Sequence, residues 1–305
     1  MTYQKICAII IPKELERKII MSAKFGPAGT AESFKKMGYK KSVQLGEYLE
    51  KFGLDHFEYQ CGQGVRVSAE SAKEIGKALS EKGITVSVHA PYFISLSSVE
   101  EEKRNGSVNY ILQSAAAVNS MGGDRIVIHS GSCSKMTREE ALELAKDTMK
   151  KARAALVSEG LGHIHCCPET MGKINQLGDL HEVMELCKID ESFIPCIDFG
   201  HLNARTFGEI KGKAEYAAIL DTIENELGSD RAKIFHSHFS KIEFTEKGGE
   251  KKHLTFEDTV YGPQFEPLME LVYERDLSPI FICESAGTQT EDAQAMKNYY
   301  DSLKK

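Results

Sequence analysis

A short apolar, β-branched run ending in a polar residue, then a Gly/Ser/Pro loop, then a longer amphipathic stretch, recurs eight times from about residue 19 onward. This repetition limits the fold more than any other feature of the chain. The runs are Ile19–Ala23, His56–Gln60, Thr85–His89, Arg125–His129, His163–Glu169, Pro195–Asp198, Lys233–His238 and Pro279–Glu284. Helical patterns fall near 40–52, 68–82, 106–121, 137–159, 178–188, 213–227, 263–276 and 290–304. A helix between consecutive strands returns the chain to the same edge, so the eight strands run parallel, and at that count a closed cylinder is the stable solution. The expected fold is a single (β/α)8 TIM barrel over 19–305, with residues 1–18 as a short N-terminal extension. Ser68–Ser71 and Thr137–Glu140 carry the hydroxyl-then-partner spacing of helix N-caps and support the boundaries. The polar stretch Thr245–Lys252 reads as a mobile hairpin or loop on the upper face.

Composition narrows the function. Lys+Arg 38 against Asp+Glu 45 gives a net charge of −7, so any polyanion must be held by a local patch or by bound cations. The longest apolar run, Cys7–Ile11, stops at Pro12, far short of the ~20 residues that cross a bilayer. No membrane association is expected. The start shows no small-residue cleavage site after a long apolar stretch, so residence in the cytoplasm is expected. The 8 cysteines include no C-x-x-C pair, and the expectation is buried free thiols. No G-x-G-x-x-G or Walker sequence is present.

In such a barrel the strand carboxyl ends converge on one face. Here they present His89, His129, Glu169, Asp198 with His201 just beyond, His236 and His238, and Glu284. Alternation puts His236 and His238 on one side of their strand, as it does Cys196 with Asp198 and Ile282 with Glu284, while Phe235, Ile197 and Cys283 face the helices. A lone histidine in an apolar run is ordinarily a hydrogen-bonded core residue. Six consecutive strands ending this way demand a cation or a fully satisfied network, because buried unpaired charges cost several kcal/mol each. Imidazoles mixed with carboxylates suit zinc or manganese over calcium. His163 and His165 read as layer-filling or supporting residues, and His56 and His181 as ordinary ones.

Val88-His89-Ala-Pro-Tyr92, Ile128-His129-Ser-Gly-Ser132, Pro168-Glu169-Thr-Met-Gly172, Cys196-Ile-Asp198-Phe-Gly-His201, Phe235-His236 and Cys283-Glu284-Ser resemble, in order, the motifs of endonuclease IV. That family of abasic-site DNA endonucleases sits within the xylose-isomerase-like barrels. The resemblance implies two or three zinc ions, with manganese as the alternative, and a monomer acting on double-stranded DNA containing abasic sites. It assigns His89 and His129 to one ion, Glu169 as a bridge to a second completed by Asp198, His236 and Glu284, and His201 with His253 to a third. Glu284 and Glu169 are the implied proton-accepting catalytic groups. Tyr92, with Gln63 and Arg66, is the implied groove-inserting set.

Two departures stand out. Lys251 occupies the position, two before His253, where the family has an aspartate, so Glu250 or His238 has to supply that bond. The family's His-Leu-Asn-Asp reads His236-Ser-His238-Phe239 here. The other reading is a single-metal sugar isomerase or epimerase of the same barrel group, which needs only Glu, Asp, His and Glu on the last four strands. A metal-loaded binding barrel without catalysis is the third, and nothing in the sequence favours it.

Overall fold

A computed structural model describes residues 22–304. Its main strands are β1 Lys24–Pro27, β2 His56–Gln60, β3 Thr85–His89, β4 Arg125–His129, β5 His165–Glu169, β6 Cys196–Asp198 and β7 His236–Phe239. An antiparallel hairpin follows, β8 Lys241–Thr245 with β9 Gly249–Leu254, and then the last strand, β10 Ile280–Cys283. Apart from the hairpin, the eight strands are parallel and hydrogen-bonded in the order β1-β10-β7-β6-β5-β4-β3-β2. The seam between β1 and β2 is closed by a bridge between Ala28 and Glu58, with Gly29 N donating to Glu58 O at 2.9 Å. The expected (β/α)8 barrel is the observed fold.

The first strand is displaced from the expected Ile19–Ala23. Lys24-Phe-Gly-Pro is the strand, and residues 1–21, including the expected extension, lie outside the described residues. Gly26 is required there: a Cβ would stand 1.9 Å from His56 O, so only glycine lets β1 close on β2. The remaining strands fall where the periodicity places them, to within a few residues at each end. The expected caps form, Ser71 N donating to Ser68 Oγ and Thr137 closing a capping box with Glu140.

Outward-facing strand residues, among them Val86, Ile128, Ile197, Phe235, Phe281 and Cys283, join the layer of helices in one large apolar core. Inside the cylinder the filling is only partly apolar. Val127, Cys167, Ile194 and Cys196 form a small inner cluster, and around it stand the buried polar residues His56, Glu58, Ser87, Arg125 and His236. The seven described cysteines are buried free thiols, as expected. Among the described residues no helix is long and apolar enough to cross a membrane.

Candidate metal centre

Strand register sets the height of each side chain. Asp198 lies opposite His238, and His238 opposite Ile282, two residues below Glu284. His236 lies one pleat lower, opposite Cys196 and Ile280, which is about 7 Å further into the barrel. The rim therefore receives Glu169, Asp198, His238 and Glu284, whose donor atoms all lie within 4.8 Å of one another. His238 Nδ1 is 3.0 Å from Glu169 Oε1 and 3.5 Å from Glu284 Oε1. His236 does not reach this group. Its Nε2 is 2.9 Å from Glu58 Oε2 in the interior, and its donor atoms group instead with those of Cys196 and His238, so the expected ligand of strand seven lies outside the quartet. The Phe-His motif that suggested it sits one pleat too deep.

Four further donor sets adjoin the first: two reuse His238, with His89 and Glu284 or with Cys196 and His236, and two others bring in mostly new residues. His89, His129 and Glu169 converge, each imidazole Nε2 3.4 Å from Glu169 Oε2. His89 Nδ1 donates to Ala90 O at 2.9 Å, which leaves Nε2 as the free nitrogen facing Glu169. His201, Glu250 and His253 form the other set. His201 Nε2 is 3.5 Å and His253 Nε2 3.9 Å from the Glu250 carboxylate. Asp198 caps the helix Phe199–Arg205 by accepting from His201 N at 2.7 Å, and this swings the His201 ring over the rim.

Glu250 arrives through a β-bulge. In the hairpin Glu243 pairs with Lys252 and Phe244 with Glu250, so Lys251 is the extra residue. Without the bulge, residues 251 and 253 would share a face. With it, Glu250 and His253 turn inward, and Lys251 turns out to an ion pair with Glu243. The expected hairpin forms, and it is pinned to the loop after β5. Glu250 N donates to Gly172 O at 3.1 Å and Ile174 N to Gly248 O at 3.2 Å. A Cβ on Gly249 would sit 2.3 Å from Gly172 O, and one on Gly172 would sit 2.7 Å from the Glu250 Cβ, so both glycines are needed for this contact. His253 is oriented by Ser240, 2.8 Å from its Nδ1.

The electrostatics follow from carboxylates packed among imidazoles away from water. Burial pushes His129 down to about 4. For His89 burial acts the same way, but the Glu169 carboxylate overrides it and raises the group to about 9. His201, buried but beside Asp198 and Glu169, rises to about 10. Glu169 lies well below the usual carboxylate range, because the histidines led by His238 outweigh its burial. Glu169 Oε2 and Asp198 Oδ2 are nevertheless buried with no hydrogen-bond donor. An orphaned carboxylate oxygen costs roughly 1–3 kcal/mol or more, and both orphans belong to the converging donor sets, so the residues present fit bound divalent cations.

The other expected site residues lie on the rim loops. Tyr92, 55% exposed, packs at a tilt of 57° against Phe93, with ring centroids 4.6 Å apart. Gln63 and Arg66 are exposed in the loop after β2, and Tyr92 N donates to Gly62 O at 3.3 Å, joining the two loops. His163 and His165 take no part. His163 is exposed at the barrel floor against Asn119, and His165 bonds Ser192 O. His181 is exposed near Glu226. His56, by contrast, is buried in the polar interior beneath the site. Sequence reasoning missed Glu58 altogether, although its place in His56-Phe-Glu58-Tyr-Gln60 puts it on the inward face of β2 by simple alternation.

The profile of the xylose isomerase-like TIM barrel family matches residues 47–304, and the chain belongs to that family. An uncharacterized protein of Methanocaldococcus jannaschii is 32% identical over 253 residues, 83% of this chain and 90% of its own. A probable endonuclease 4 of Mycoplasma pneumoniae is 25% identical over 206 residues, 66% of this chain and 67% of its own. Among solved structures, a D-tagatose 3-epimerase-like protein superposes with a TM-score of 0.67 at 18% identity, covering 92% of this chain and 98% of that one. Endonuclease IV from Thermus thermophilus gives 0.63 at 16%, covering 92% and 99%. The shape is shared with both and does not choose between them.

Proposed function

We propose that this protein is a metal-dependent phosphodiester hydrolase of the endonuclease IV kind, incising DNA 5′ to abasic sites with two or three zinc ions, or manganese in their place. The observation that supports it is the pair of extra donor sets, His89/His129/Glu169 and His201/Glu250/His253, beside the quartet Glu169/Asp198/His238/Glu284. A one-metal isomerase needs only the quartet. Four carboxylates bring −4, and three divalent ions bring +6, so the loaded rim carries +2 on an otherwise acidic chain and attracts phosphate.

Divalent ions so held supply Lewis acidity toward the phosphodiester and toward water. The protein's own part is orientation and proton handling. Glu169 is locked among His89, His129, His201 and His238 and serves as the shared bridge. Glu284, 16% exposed and near that lattice only at His89 and His238, is the carboxylate free to take a proton from the attacking water. Tyr92 and Phe93, exposed on the rim, offer an aromatic wedge against a duplex, and an abasic nucleotide costs less to extrude than a paired base.

Metal stoichiometry on freshly purified protein, followed by nicking of an abasic oligonucleotide, tests the reading. Two or three ions per chain with incision are expected. One ion, with ketose epimerisation and no nicking, establishes the sugar isomerase or epimerase reading instead, which the compact quartet alone would serve. Tyr92→Ala is expected to weaken binding of an abasic duplex by about 5- to 100-fold, the range of one lost aromatic stack, with metal content unchanged. Unaltered duplex affinity by fluorescence anisotropy rejects the wedge.

A further inference from the structure

We infer, resting on the metal-centre reading above, that Arg205 is a positioning residue: it fixes the loop on which the hairpin sits, and so sets where the Glu250 carboxylate stands in the His201/Glu250/His253 set. Arg205 ends the helix Phe199–Arg205, one turn beyond His201 on the same face. Its Nη1 donates to Met171 O at 3.0 Å and to Lys173 O at 2.9 Å, and its Nη2 to Gln176 O at 3.2 Å. One guanidinium therefore holds the carbonyls on either side of Gly172. The Gly172 carbonyl itself accepts from Glu250 N at 3.1 Å, and the adjacent Lys173 bridges to Gly249. A Cβ on Gly172 would stand 2.9 Å from both Glu250 Oε2 and His201 Cδ2, so the gripped residue is wedged between two members of the donor set.

A two-stranded hairpin is marginal by itself, so the place of Glu250 depends on what β8 and β9 are docked against. Arg138 completes the seat. Its Nη1 donates to Ile174 O at 3.0 Å and its Nη2 to Gln176 O at 3.1 Å, while Glu182 takes its fork at 2.7 and 2.6 Å. Burial, and Arg138 close by, push the Arg205 group below its ordinary value, a cost that charge-assisted bonds to the carbonyls offset. A planar, five-donor guanidinium spans carbonyls of three residues, where an ammonium is a point charge. All three hydrogen bonds of Arg205 end on main-chain oxygens, so its effect on the site passes through the loop.

The test compares wild type, Arg205→Met and Arg205→Lys by competition titration of zinc against a chromogenic chelator, each also in a His253→Asn background. Amide hydrogen exchange of the chelated proteins is the metal-free readout. Arg205→Met is expected to weaken one zinc by about 10- to 100-fold while the others keep their affinity, and Arg205→Lys to recover part of that loss. In the His253→Asn background Arg205→Met is expected to cost nothing further, because residues acting through one site are not additive. The Glu250 amide should exchange about 10-fold faster or more in Arg205→Met, with the barrel amide of His236, bonded to Pro195 O, unchanged. Equal zinc losses in both backgrounds, or barrel amides accelerated together with that of Glu250, mark a role in stability alone and overturn the inference. A folded Arg205→Met with all zinc affinities unchanged also overturns it and leaves the metal-centre reading standing, whereas a wild type that binds no zinc overturns both. Should Arg205→Met fail to fold, Arg205→Lys decides: a loss confined to one ion supports the inference, and no loss overturns it.

Discussion

Glu169→Gln is expected to lower the rate of abasic-site incision about 10³-fold or more, or ~4 kcal/mol of transition-state stabilisation, and to reduce the number of ions bound. The reason is geometric. Oε2 of this one side chain faces His89 and His129, Oε1 faces His201 and His238, and the carboxylate also belongs to the quartet with Asp198 and Glu284. Every donor set at the strand ends either contains Glu169 or touches a residue that does. Glutamine has the same shape, so the metal-free fold should hold, with Tm in chelator moving by no more than about 4 °C, the size of a ~1 kcal/mol change. Nicking near the wild-type rate, measured at matched metal content, would falsify the bridging role.

The second large effect separates two histidines that are two residues apart. His238→Asn is expected to cost one bound ion and about 10²- to 10³-fold in incision, because it removes the only imidazole in the quartet. His236→Asn is expected to keep the full metal count, since the His236 ring ends on Glu58 inside the barrel. Elemental analysis of both variants decides. If His236→Asn loses an ion and His238→Asn does not, the order of motifs along the sequence is the better guide, and the register argument fails.

The fold was legible because eight strand-length runs and eight helical patterns alternate, and parallel strands at that number have one closed solution. Most of the site was legible for the same reason: a polar residue at a strand's carboxyl end needs no alignment to be placed on the rim. The failures have local causes. The first run was placed at Ile19–Ala23, whereas the strand is Lys24-Phe-Gly-Pro, in which Gly26 is what allows β1 to touch β2. The resemblance names His236, but a motif gives the order of residues, not their depth, and pairing across β6 and β7 puts His238 level with Asp198. Glu58 gave no motif at all. Only the side chains on neighbouring strands show that its carboxylate stands between two imidazoles.

The bulge at Lys251 reaches beyond this chain. One additional residue on a strand rotates everything before it by half a turn, so a liganding acid can migrate to the adjacent column of an alignment without leaving its place in space. A search insisting on an aspartate two positions ahead of the histidine would discard this protein, and with it any homologue that has made the same exchange. Counting which side of the ribbon a carboxylate emerges from, and tolerating a single insertion, would retain them.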